Sequence, residues 1–212
     1  MHADWLSNAY LVADEEGGTA VYVDSGAPLG PLRQAVERWR VEPTFILRTH
    51  AHHDHVEHEG ELGLPVRTDS LEAAGLRVEA IPTPGHSDDM VAFVVNGEAV
   101  FTGDTLFKDS VGGGSFEQIR RSVMEVLLAL PHELRVLPGH TDETTLAREW
   151  EKNPFVRVWR GVEAEGAEPC RVGGEQATIV VWSPDYDGGG KAWVRFADGR
   201  DAIVGGSRVE RA

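Results

Sequence analysis

Between Asn8 and Asp24 two apolar runs, AYLVA and AVYVD, flank the polar stretch DEEGGT, which predicts a hairpin turning at Gly17 and Gly18. From residue 28 to 39 the period changes. Leu32, Ala35, Val36 and Trp39 recur at intervals of three and four behind Pro28, the pattern of a surface helix with one buried stripe. TFILR at 44–48 predicts a core strand that ends where Thr49 and His50 begin. Alternation in LRVEAI predicts another strand, running into the turn PTPGH. VAFVV at 91–95 and AVF at 99–101 are joined by Asn96 and Gly97, a strong short-range hairpin signal, and the second arm ends in Thr102, Gly103 and Asp104. After the glycine-rich VGGGS, predicted to be a mobile loop, Ser115 and Gln118 suit a capping box for a helix from 116 to 130. Phe116, Ile119, Val123, Leu127 and Leu130 share its inner face. RVLP then delivers Gly139 and His140, and TTLAREWEK predicts a further amphipathic helix.

The pattern shifts near Asn153 and Pro154. Short strands are predicted at 177–183, 191–196 and 201–204, separated by DYDGGG and ADGR. A β-rich piece of this size has little core of its own and is expected to pack against its neighbour. The expected division is a main domain over 1–155 and a small C-terminal module over 156–212, with Trp159, Trp182 and Trp193 supporting the module's core. Mixed strands and helices without regular parallel crossovers imply a layered α/β arrangement.

Charge and cysteine content narrow the partners. The chain carries 35 acidic and 20 basic residues in 212, a formal charge of -15, which argues against nucleic acid as a bound partner. Cys170 stands alone, so no intramolecular disulfide forms, and a reducing compartment fits. The start MHADWLSNAYLVAD lacks a basic leader before an apolar run, and no segment has eighteen uninterrupted apolar residues. The expectation is a cytoplasmic protein with no membrane association.

Nine histidines are present, five of them between His50 and His58. His50 and His52 are two apart, and in extended backbone such side chains point the same way, so both can reach one ion. Asp54 and His55 follow with different directions, which suits a neighbouring ion. His86, Asp104 and His140 each follow a glycine at the end of a strand or turn, where a small residue permits a crowded approach. Seven groups of this kind are enough for two metals if one carboxylate bridges, and zinc accepts both ligand types. The bland reading remains for the others: His53 and His58 as solvent-facing or supporting groups, His132 at the surface, and Asp88 and Asp89 as loop charges. Lys108 and Asp109 are candidates to meet substrate. Thr49 and Thr102 are expected to fix local geometry through their hydroxyls.

HAHHDH, TPGH, TGDTLF and LPGH, in that order, resemble the metallo-β-lactamase superfamily and in particular its glyoxalase II-like hydrolases. The likeness covers roughly the first 155 residues. It implies a four-layer αββα sandwich, here with a small C-terminal β-rich extension. His50, His52 and His86 would hold a first metal, Asp54, His55 and His140 a second, and Asp104 would bridge them. The implied cofactors are two zinc ions, with iron or manganese as the other ions such sites take.

By the same resemblance the activity is hydrolysis of a small thioester, ester or lactone by a hydroxide shared between the ions. Asp54 would orient it or move a proton, and Asp104 would be the second catalytic carboxylate. Glyoxalase II enzymes use a largely helical, basic C-terminal region for glutathione, which this β-like end does not match. The arginine that often follows VG in related hydrolases is Gly113 here. Two other readings stand beside this one: an enzyme resembling the mononuclear iron persulfide dioxygenases, and a metal-binding interaction protein without turnover. Self-association is left open.

Overall fold

In the computed structural model, which describes residues 6–73 and 75–211, the first two apolar runs pair as an antiparallel hairpin of Tyr10–Ala13 and Thr19–Val23. The leader expectation rests partly on residues 1–5, outside the described residues. Glu42–Leu47 joins the hairpin in parallel, followed by Val66–Arg67, to make a four-stranded sheet. The parallel step is bridged by the helix Leu29–Trp39. Its stripe is only half covered: Leu32, Ala35 and Val36 are partly buried, and Trp39 remains 37% exposed.

A second, six-stranded sheet runs in the order Thr144–Thr145, Arg135–Pro138, Ala99–Gly103, Val91–Val95, Leu76–Pro82, Leu71–Ala73. All its pairings are antiparallel except that between Arg135–Pro138 and Ala99–Gly103. The uninterrupted run VAFVV is explained by burial on both faces, the situation that removes alternation. Phe93 and Val95 meet Val21, Val23 and Leu47 of the first sheet. Ala92 and Val94 point the other way, into a core with Ile119, Val123, Leu127, Phe155 and Val156. The result is the αββα sandwich with a curled C-terminal sheet.

The segment predicted as one helix from 116 to 130 is wound unevenly. An α-helix, Phe116–Arg121, widens into a π turn, Ser122–Val126, and closes as a 3₁₀ turn, Leu127–Ala129. The capping box does not form, because Ser115 makes no side-chain cap bond; its backbone N–H donates to the Gly85 carbonyl instead. In the π turn the Ser122 hydroxyl donates to Pro84 O at 2.7 Å, tying the helix to the turn that carries His86. Thr145 and Asn153 do cap the following helices, Leu146–Lys152 and Pro154–Trp159, with side-chain oxygens.

The C-terminal sheet has five strands in the order Asp201–Gly205, Lys191–Phe196, Glu175–Ser183, Glu168–Val172, Val209–Arg211. One face holds its own small core around Val172, Ile179, Val194 and Val204. Val180, Val181, Trp193 and Ile203 face the large core beside the six-stranded sheet. Trp193 therefore does not serve the module's own core; its ring lies 4.8 Å from Phe116, and Trp159 packs against the same cluster. Trp182 stays at the surface under the Arg211 guanidinium. The glycine segment 112–114 is anchored rather than loose: Gly112 N donates to Thr105 O and Gly114 N to Ile203 O.

Candidate metal centre

Four strand ends deliver the chemistry to one edge of the sandwich. Glu42–Leu47 leads to His50 and His52, Leu76–Pro82 to His86, Ala99–Gly103 to Asp104, and Arg135–Pro138 to His140. Asp54 and His55 sit on the short helix His53–Val56 that follows His52. All seven predicted groups fall into three overlapping sets, His50–His52–His86, His50–His55–Asp104 and Asp54–His55–His140, with ligand atoms in each set within 4.8 Å of one another.

The glycines matter here for space. A Cβ on Gly139 would overlap Asp104 Oδ1 and come within 2.8 Å of His55 Cε1. One on Gly85, whose φ is 141°, would stand 2.7 Å from the Ile119 backbone nitrogen. The turn before His86 is thus pressed onto the helix behind it.

Acceptors outside the cluster decide which ring nitrogen of each histidine looks inward. The Asp24 carboxylate accepts from Thr49 N and from the Thr49 hydroxyl, both at 2.8 Å, which leaves Thr49 Oγ1 to accept from His50 Nδ1 at 3.1 Å. Asp24 Oδ2 also accepts from His55 Nδ1 at 2.8 Å. His86 Nδ1 donates to Gly113 O at 2.9 Å, and His140 Nδ1 to Leu6 O at 3.1 Å. With each Nδ1 engaged as a donor, four Nε2 atoms carry their lone pairs toward the centre.

His52 completes the first set with its Nδ1, 3.1 Å from His50 Nε2 and 2.9 Å from His86 Nε2. Three ring nitrogens so placed have too few protons to satisfy one another, and ligand atoms of a tetrahedral zinc stand roughly 3.3 Å apart. A cation fits that triangle. On the other side His140 Nε2 is 3.4 Å from Asp54 Oδ2 and 3.3 Å from Asp104 Oδ2. Asp104 Oδ2 also lies 3.5 Å from His86 Nε2, so this carboxylate faces both sets. His55 Nε2 and Asp104 Oδ1, 3.4 Å apart, are buried without a hydrogen bond, as ligand atoms awaiting an ion would be. The residues fit a pair of metals.

Electrostatics divide the two sides. Burial pushes His50 down to about 4 and lowers His86 as well, so these rings are neutral lone-pair donors. Burial works against charge on His55 too, yet Asp24, Asp104 and Asp54 hold it up to about 12. His140 is likewise raised, to about 9, by Asp104 and Asp54 against its burial. The same contacts hold Asp54 and Asp104 well below the usual carboxylate range in spite of desolvation. The carboxylates that favour a proton on His55 and His140 would equally favour a cation beside their inward nitrogens.

Groups around the centre take particular roles. Thr49 and Thr102 are fixed as expected, the latter donating to Leu106 O at 2.8 Å. Asp89 is more than a loop charge: it accepts from Ala51 N at 3.0 Å and steadies the backbone between His50 and His52. Asp88 is exposed. Lys108 and Asp109 are engaged elsewhere, Lys108 with Asp142 at 3.0 Å and Asp109 with both terminal nitrogens of Arg148 at 2.9 Å. His132 is half-buried against Trp150, and His58 lies 3.6 Å from Glu61.

Two residues had no signal of their own in the sequence. Asp24 reads there as the last residue of a strand; its φ of 55° turns the chain so that one carboxylate serves both Thr49 and His55. Tyr186, from the DYDGGG loop of the C-terminal sheet, stacks on His140 with ring centroids 3.8 Å apart and planes 9° from parallel. An aromatic residue in a glycine-rich turn was the only hint, and only a contact across 46 positions of sequence gives it meaning.

Relatives agree with this geometry. No protein-family profile matches the chain. An uncharacterized protein of Mycobacterium leprae, ML0493, is 31% identical over 202 residues, spanning 70% of this chain and 93% of the relative. The crystal structure of TTHA1623 in a di-iron-bound form is 32% identical with a TM-score of 0.61, covering 73% of this chain and 98% of that one. The BLEG-1 B3 metallo-β-lactamase superposes with a TM-score of 0.67 at 25% identity, covering 73% and 96%. With the αββα fold and the paired ligand sets in place, the chain belongs to the metallo-β-lactamase superfamily. Its site has the make-up of a dinuclear metal-hydrolase centre.

Proposed function

We propose that the chain is a two-metal hydrolase of small acyl compounds, cleaving a thioester, ester or lactone. The observation that carries this reading is Asp104, whose Oδ2 lies 3.5 Å from His86 Nε2 in one set and 3.3 Å from His140 Nε2 in the other. His50, His52 and His86 would hold one ion, Asp54, His55 and His140 the other, with Asp104 shared. Two ions in these positions would acidify a water between them and polarise a carbonyl. The chain's own part is to hold the ring nitrogens bare through Thr49, Asp24, Gly113 and Leu6, and to exclude water behind Asp104. Asp54, partly exposed, would orient the attacking water and accept its proton. The proposed substrate is a small acyl compound, and zinc is the proposed metal.

The test is metal content of freshly isolated protein together with turnover on esters, thioesters and lactones. Two zinc equivalents and hydrolysis of one class support the reading. Two bound metals with no turnover on any class would favour an interaction protein. The di-iron form of TTHA1623 makes iron a specific second possibility for the ions; a single iron with oxygen consumption would move the assignment to a dioxygenase.

A further inference from the structure

The C-terminal sheet reaches both sides of the metal centre. On the His86 side its Ile203 pairs with Gly114, next to the Gly113 carbonyl that receives His86 Nδ1. On the His140 side the loop between Glu175–Ser183 and Lys191–Phe196 lays Tyr186 against the imidazole. This loop is firmly mounted. At its base Lys191 Nζ and Asp185 Oδ2 form a nearly buried ion pair at 2.9 Å. The Ser183 hydroxyl donates at 3.1 Å to that of Ser110, in the short hairpin that follows Asp104. Gly206 N closes the far end on Gly190 O at 2.6 Å.

Tyr186 keeps one tie to this scaffolding, the Lys191 ammonium 5.8 Å from its ring centroid. Its hydroxyl makes no hydrogen bond among the described residues, and the side chain is half-buried, with the edge-on ring of Phe107 at 6.1 Å and the carboxylates of Asp54 and Asp104 close enough to act on it. One face covers His140, and the half-buried ring keeps an exposed part beside a ligand set that includes the partly exposed Asp54. A flat apolar surface beside bound ions is a rest for a planar apolar substituent.

We propose that Tyr186 is a specificity-determining residue of this centre, its ring forming the wall that receives a flat, apolar group attached to the substrate carbonyl. The preferred substrates are then aryl or otherwise planar acyl compounds rather than short alkyl ones. This rests on the two-metal reading, and the experiment separates the two.

Calorimetry on the two-metal protein would compare acetohydroxamate with benzohydroxamate, which present one chelating group with a methyl or a phenyl beside it. Binding of acetohydroxamate to the wild type tests an accessible metal centre by itself; if neither hydroxamate binds, that reading and this inference fall together. The expected result is benzohydroxamate binding about tenfold more tightly than acetohydroxamate in the wild type and in Tyr186→Phe. In Tyr186→Ala the ratio should shrink to about one or two, with two metals still bound. A ratio unchanged in Tyr186→Ala, or lost equally in Tyr186→Phe, overturns the wall. So does loss of a metal from Tyr186→Ala, which would make Tyr186 a positioning residue acting through His140.

Discussion

Asp24 Oδ2 stands 2.8 Å from His55 Nδ1, and both side chains are buried. The contact fixes the imidazole with Nε2 facing Asp54 and Asp104, while the same carboxylate also organises Thr49 and, through it, His50. One residue that touches no reacting atom thus orients a histidine in each ligand set. Outer-shell carboxylates of this kind usually alter metal affinity by about 10–100-fold. We expect Asp24→Asn to weaken metal binding within that range, with Asp24→Ala worse. Competition with a fluorescent chelator measures it, and wild-type affinity in both variants would refute the role.

The chelated protein should be most stable near pH 6.5. His140, raised to about 9, and His55, raised to about 12, contribute stability that is complete below their unfolded value and is lost as pH rises through the folded one. His50, lowered to about 4, acts oppositely and costs stability as pH falls from 6.5 toward 4. Asp54 and Asp104, held low, add a loss in acid below the usual carboxylate range. Melting temperature in a chelator should therefore fall on both sides of this point. With metals bound, cations replace the two protons and the alkaline fall should flatten. A chelated protein equally stable at pH 6.5 and 9 contradicts this.

Gly139→Ala should abolish tight metal binding although it adds one methyl group. The new carbon would overlap Asp104 Oδ1 and crowd His55, and neither neighbour can retreat because both are buried. Overpacking of this sort costs about 1–3 kcal/mol. Metal content below two equivalents in a variant that still folds by circular dichroism is the expected result; full occupancy would show that the centre yields more easily than its packing suggests.

Trp193→Ala should lower global stability by about 3–5 kcal/mol, since the ring is buried against Phe116 in the large core. Because the C-terminal sheet and the six-stranded sheet share that core, the wild type should melt in one transition. Two resolved transitions would mean that residues beyond the last helix form an independent unit.

The clustering of the seven groups was largely legible in the sequence because most of them follow the ends of apolar strands, each announced by a short polar motif and, in three cases, by glycine. Spacing alone placed His50 and His52 together, as extended backbone through residue 52 requires. The helix after Ser115 was harder. Its apolar face is periodic, but the pull of Ser122 toward the Pro84 carbonyl and the tight seat of Ile119 on Gly85 are tertiary effects that widen it into a π turn. Trp193 was misplaced for a related reason: alternation tells that a strand has two faces, not which core each face meets. Asp24 and Tyr186 lay beyond local patterns because each acts through a partner far along the chain.

The carbonyl of Leu6 steers His140, and the ring of Tyr186 covers it, so this one imidazole is gripped by segments 180 positions apart. Segments near both ends of the described chain thus converge on one ring, so a change in either region would reach the centre through His140.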